Sequence, residues 1–272
     1  MNKKKEIEKE KEKEKTKKKE KKEKETTNKK EEKKNKKKKT TTEKELKSIQ
    51  LIQSAWRRYS EKQILKHLRE RRLILNELVQ TEERYLSNLK SAESEFFQPF
   101  FNHPQYSLWD HSGTFLLYYK NFESIISYHA TNLSQFQSQE GNEKKTKLQQ
   151  FLEIIPDITT LSIIYLPYCL KYENFILAIR QLIRESPLFE RFYENKNKLM
   201  AMDLMSVIIS PISRIPRYVL LMRGFLKTCP KTLLHYSDLV TLLEKWESTV
   251  NDFNKKLQLE SSRKNDQKKN LN

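Results

Sequence analysis

Glycine is nearly missing: the chain has 272 residues and three glycines, Gly113, Gly141 and Gly224, set far apart. A phosphate-cradling loop or a dinucleotide fingerprint needs clustered glycines for its tight turn and for close backbone approach. The spacing therefore argues against a Walker-type NTPase and against a Rossmann enzyme. So few turn residues also disfavour an all-β barrel or sandwich. Cysteine is equally sparse, and Cys169 and Cys229 form neither a CxxC pair nor a disulfide framework. The expectation is a reduced, cytoplasmic protein. His67, His103, His111, His129 and His235 show no ligand-like spacing with one another or with the cysteines, so no metal site and no cofactor are expected. The opening MNKKKEIEKE lacks the apolar stretch of a signal peptide. No run of about 18 apolar residues occurs, so no membrane span is predicted.

Charge is what the chain has in excess. The net charge is +18, but residues 1–40 alone hold 21 Lys against 10 Glu, and residues 260–272 add +2. The stretch between them carries only +5. Residues 1–44 are almost entirely Lys, Glu, Thr and Asn, with Ile7 the one large apolar side chain after Met1. Such a segment cannot bury enough surface to offset chain entropy, so a disordered tail is expected. The alternatives are a solvated helix held by Glu–Lys pairs one turn apart, or a patch drawn to anionic lipid. No aromatic residues interleave the charges, so no specific nucleic-acid partner is expected.

Abundant Leu, Lys, Glu and Gln favour helix. Apolar periodicity begins near Leu46, and no Gly or Pro interrupts it before Pro99. Leu75, Leu78, Glu82, Tyr85, Leu89, Ala92 and Phe96 follow steps of three and four, which places one mostly apolar stripe along a helix. Pro99 is expected to end that helix, and residues 102–113 read as a loop with an Asp-His-Ser-Gly turn signal. Further helices are predicted over 114–137, 148–155, 158–184, 188–195, 204–227 and 233–259, with a polar linker at 138–146. Pro211 and Pro216 predict a kink or an irregular start in the fifth of these. Tyr218, Leu220, Leu221, Phe225 and Leu226 are assigned to the core. The fold class is all-α, an elongated helical bundle over residues 71–259, preceded by a helical segment over 45–70 and followed by a polar tail over 260–272.

Two segments carry a family resemblance. Leu75-Asn-Glu-Leu-Val-Gln-Thr-Glu-Glu-Arg-Tyr-Leu-Ser-Asn-Leu89, running into Glu95-Phe-Phe-Gln-Pro99, resembles the first conserved region of Dbl-homology (DH) domains, the RhoGEF family. Pro211-Ile-Ser-Arg-Ile-Pro-Arg-Tyr-Val-Leu-Leu-Met222, with Asp203-Leu204 ahead of it, is similar to the third. Between them, residues 121–129 and 166–172 are similar to weaker middle signatures. The resemblance spans about residues 71–259 and implies guanine-nucleotide exchange on a Rho/Rac-type small GTPase without covalent chemistry. It implies that Glu77 contacts switch I, that Arg217 faces acids of switch II, and that Asn251 hydrogen-bonds around switch II. Ser213, Val219 and Gly224 depart from the family pattern, where Gln, Pro and a helix former are usual. A DH-like module that docks without exchanging nucleotide, or a calmodulin-tethered adaptor, would fit the same residues.

Ahead of this region, Ile52-Gln-Ser-Ala-Trp-Arg-Arg-Tyr-Ser-Glu-Lys62 resembles an IQ motif. Ile52 and Trp56 supply an apolar face at a four-residue step, Gln53 holds the motif's glutamine position, and Arg57, Arg58 and Lys62 suit an acidic calmodulin-like lobe. The alternative is an amphipathic connector that packs on the bundle. In the family a pleckstrin-homology domain usually follows the DH domain. Here residues 260–272 are polar, and the Lys-rich leader is the expected means of reaching an anionic membrane or the cortex.

Overall fold

The computed structural model describes residues 2–138 and 145–270, and among them every regular element is helical. The chain divides into two units, residues 1–65 and residues 66–272. Helix α1 (Asn2–Ala92) supplies all of the first unit. None of the side chains described between Lys33 and Leu65 is buried. These described side chains thus form no core of their own. The backbone of the leader is helical, as helix-forming residues without Gly or Pro allow.

In the second unit α1 ends in a π-helical turn at Glu93–Phe97, followed by α2 (Gln98–Phe101), α3 (Tyr106–Trp109), α4 (Thr114–Ser138) and α5 (Lys147–Ile154). Then come α6 (Ile158–Glu185), α7 (Pro187–Leu199), α8 (Leu204–Lys227) and α9 (Tyr236–Asn270). Helix α6 is central: α4, α7, α8 and α9 all pack on it, and α8 also packs on α9. The predicted stripe from Leu75 to Phe96 is buried at every position, Glu82 included. Its end differs from the expectation. Pro99 does not stop the helix but sits in the first turn of α2, where its missing N–H costs nothing. The intervening π-helical turn brings both Phe96 and Phe97 into an aromatic core with Phe100, Phe122 and Phe175.

Side-chain caps fix the helix starts. Asp157 accepts from Thr160 N at 2.8 Å, Asp203 from Ser206 N at 2.9 Å, and Thr146 forms a capping box with Gln149. Gly113 lies at φ +70° before α4, in the left-handed region that favours glycine. Helix α9 starts at Tyr236 rather than 233, because residues 228–235 form turns and His235 adopts φ +66°. It also continues to Asn270, over the predicted polar tail.

Helix α8 runs through Pro211 and Pro216 as one element. Proline at 211 removes the donor that Val207 O would receive, and Ser210 Oγ fills that place at 2.6 Å. The hydroxyls of Tyr168 and Tyr118 donate to the next carbonyl, Ile208 O, at 2.5 and 3.4 Å. By length and composition α8 and the stretch Lys147–Glu185 would suffice to cross a bilayer, contrary to the sequence expectation. Of the most apolar 18 residues of each, 50% and 44% are buried inside the bundle, as in core helices.

Candidate functional site

Glu77 projects from the edge of the α1 stripe, one residue before Leu78, and remains half-exposed. Arg217 projects from α8, where Ile215 and Tyr218 turn inward. The two side chains meet: Arg217 Nη2 donates to Glu77 Oε1 at 2.6 Å, and 48% of each side chain stays accessible. A pair this exposed contributes at most about 1 kcal/mol to folding, so both groups can be redirected to a partner cheaply.

Asn251 lies one helix further on, on α9, and is exposed. Among the described residues its amide has no hydrogen-bond partner. It lines a groove of about 260 Å³ between α8 and α9 together with Pro216, Val219, Leu220, Arg223, Glu247 and Val250. Arg223 Nε donates to Glu247 Oε1 at 2.7 Å and ties the two walls. Leu220 is therefore not core: it is 64% exposed. Tyr218, Leu221, Met222 and Phe225 occupy the inward face of α8, and Leu220 falls on the opposite side beside Pro216. Leu226 is only partly buried. The structure thus brings Glu77 and Arg217 together, and places Asn251 in the α8–α9 groove beside Leu220, an exposed apolar residue that the sequence assigned to the core.

Beneath the Glu77–Arg217 pair lies a buried polar cluster. Glu82 Oε2 accepts from Arg214 Nε at 3.2 Å, from Arg214 Nη2, and from Tyr218 OH at 2.6 Å. Glu82 Oε1 bonds His129 Nδ1. His129 Nε2 bonds Tyr165 OH at 2.6 Å, which bonds Tyr85 OH at 2.9 Å. Arg214 Nη1 donates to Thr81 Oγ1 at 3.1 Å, and its guanidinium lies 4.7 Å from the Tyr218 ring centroid. Burial alone would raise the Glu82 carboxyl; the bond and charge of His129, with Arg214 and Tyr218, outweigh it and hold it at about 2. Removing one partner of such a pair strands a buried charge, at a cost of about 3–5 kcal/mol. The sequence signal for this cluster was a lone acid in an apolar stripe; its partners lie 47 to 136 residues away.

The IQ-like residues lie in the first unit. Ile52 and Trp56 are 69% and 67% exposed, and Gln53, Arg57 and Lys62 are exposed too. Leu46 and Ile49 extend the same exposed face toward the N-terminus by steps of three. Burial pushes the Cys169 thiol up to about 12, which leaves it a poor nucleophile. Among the described residues no three His, Cys, Asp or Glu side chains are grouped to hold a metal ion.

Comparison with known proteins gives one consistent picture. A family model described as the RhoGEF domain matches residues 74–254. The chain is 25% identical over 189 residues to "Guanine exchange factor for Rac 30" of Dictyostelium discoideum, which covers 67% of this chain and 11% of that protein. It is 26% identical over 182 residues to "Rho guanine nucleotide exchange factor osg-1" of Caenorhabditis elegans, covering 64% of this chain and 15% of that protein. It therefore spans only a small part of the length of these curated relatives. Among solved structures, it is similar to human RhoA in complex with the DH/PH fragment of PDZRHOGEF. The TM-score is 0.63 and the identity 17%, over 73% of this chain and 57% of that one. The linker-DH/PH domains of p115-RhoGEF match with TM-score 0.63 and 15% identity, over 72% and 59% of the two chains. At these identities the structures establish the fold.

Proposed function

This chain belongs to the RhoGEF domain family, and from that premise we propose that it accelerates guanine-nucleotide release from a Rho/Rac-type small GTPase. The observation that carries this reading is that Glu77 and Arg217 meet half-exposed between α1 and α8, while Asn251 lines the exposed groove between α8 and α9. Glu77 offers a carboxylate to switch I, Arg217 a guanidinium to acids of switch II, and Asn251 an unused amide to the backbone beside it. Leu220, exposed in the groove beside Asn251, adds an apolar contact. Exchange makes and breaks no covalent bond: the protein binds the nucleotide-free GTPase more tightly than the nucleotide-bound form, and that difference drives release. Pull-down of a panel of Rho and Rac proteins tests this. Capture of at least one in its nucleotide-free state, and weaker capture with GDP and Mg²⁺, is expected; equal capture of both states would leave a docking module that does not exchange.

The exposed face of Ile52, Gln53 and Trp56, flanked by Arg57 and Lys62, supports a second partner, an acidic calmodulin-like lobe. The Lys-rich leader supports weak attraction to anionic lipid, about 1 kcal/mol per basic residue near the surface. Together they describe a cytoplasmic factor drawn to a membrane or the cortex. Salt-insensitive liposome binding that survives deletion of residues 1–42 would remove the lipid role.

A further inference from the structure

Two ion pairs join α1 to α8, one above the other. The outer pair, Glu77–Arg217, is half-exposed; the inner pair, Glu82–Arg214, is buried. They are five residues apart on α1 and three apart on α8. Rigid helix geometry converts these offsets into fixed distances of about 7.5 and 4.5 Å along the two axes. Where Arg214 sits against Glu82 therefore decides where Arg217 sits against Glu77.

Apolar packing alone would hold this register loosely, because similar side chains tolerate repacking. The inner cluster does not. The Arg214 fork reaches Glu82 Oε2 through Nε and Nη2 while Nη1 holds Thr81 Oγ1 at 3.1 Å, so the guanidinium spans two successive residues of α1. Tyr218 donates to the same carboxylate oxygen at 2.6 Å, one turn along α8. The other oxygen is bonded to His129 of α4, and His129 is held from behind by Tyr165 of α6 at 2.6 Å. Three helices, α1, α4 and α8, thus meet at one carboxylate with both of its oxygens engaged, and α6 supports it through His129. A slip of one helical turn would leave buried charges without partners.

We propose that Glu82 and Arg214 are positioning residues for exchange: their buried pair sets the register of α1 against α8 at which Glu77 and Arg217 engage the two switches of a GTPase together. The inference rests on the exchange reading above. It differs from a purely stabilising role in one respect. A stabilising cluster affects only how much protein is folded, whereas a positioning cluster alters what Glu77 achieves in protein that is fully folded.

The test measures GDP release from a responsive GTPase as a function of exchange-factor concentration, separating the maximal rate from the half-saturating concentration. Wild type, Arg214→Lys and Tyr165→Phe are compared, each alone and combined with Glu77→Ala, at a temperature where circular dichroism shows them folded. Arg214→Lys keeps the charge and loses the fork; Tyr165→Phe removes one hydroxyl and serves if the lysine variant does not fold. The expected result is a maximal rate at least tenfold lower for Arg214→Lys and about threefold lower for Tyr165→Phe. In both backgrounds Glu77→Ala should cost a smaller factor than in wild type. Folded variants with the wild-type maximal rate, or an unchanged factor for Glu77→Ala, overturn the inference alone. A wild-type chain that releases nucleotide from no member of a broad Rho and Rac panel overturns the exchange reading and this inference with it.

Discussion

Glu77 and Arg217 hold each other at 2.6 Å across two helices, although the family resemblance assigns them to different switches of one partner. The free protein therefore keeps these two charges neutralised and in place, 48% exposed, where a partner of the kind proposed would have to compete for them. Pre-orientation of this kind lowers the ordering cost of binding.

The first prediction concerns that pair. Arg217→Ala should change folding stability by no more than about 1 kcal/mol, because the pair is exposed. Urea denaturation checks this. The same variant should still slow GDP release severalfold, so the activity loss cannot be assigned to unfolding.

The second concerns acid. The Glu82 carboxyl is held at about 2 in the folded chain, below its ordinary 4.5. A depressed carboxyl contributes stability that is complete above the unfolded value and fades as pH falls toward the folded one. Urea midpoints for wild type should therefore hold from pH 7 to about 5 and drop between about pH 4.5 and 2. Glu82→Gln should be less stable at neutral pH and should lose less over that acid range. A drop of equal size in both chains would show that Glu82 is not the group responsible.

A third prediction separates two glycines. A β-carbon at Gly224 would meet Ile74 Cδ1 at 3.7 Å, an ordinary contact. Gly224→Ala should thus stabilise α8 by about 0.5–1 kcal/mol. At Gly113 there is open space, but φ is +70°. Gly113→Ala should destabilise by about 1 kcal/mol through backbone strain alone. Thermal melts of both variants, with shifts of opposite sign, check the contrast.

The fourth addresses the IQ-like face. Trp56 is 67% exposed, so Trp56→Ala should leave the melting temperature within about one degree of wild type. It should abolish binding of calmodulin, measured by calorimetry with and without calcium. Wild-type chain that binds calmodulin in neither condition would remove that partner.

Local pattern carried much of this architecture. The α1 stripe and the exposed edge position of Glu77 follow from spacing within one helix. Non-local packing decided the rest. Leu220 reads as core in the run Tyr218-Val-Leu-Leu-Met222, yet which side of α8 is covered depends on where α6 and α9 lie. Prolines 211 and 216 predict a kink or an irregular start; α8 runs through both as one element, and at Pro211 the Ser210 hydroxyl takes the carbonyl that the proline leaves without its donor. Glu82 was visible only as an acid out of place, since Arg214 and His129 lie 132 and 47 residues from it.

The most direct measurement is fluorescent GDP release from a panel of purified Rho and Rac proteins by this chain, by Glu77→Ala and by Asn251→Ala. Both variants alter exposed side chains and should remain folded. The account predicts acceleration on at least one GTPase by wild type, reduced tenfold or more in each variant. No acceleration on any member, or acceleration that both substitutions leave intact, would contradict it.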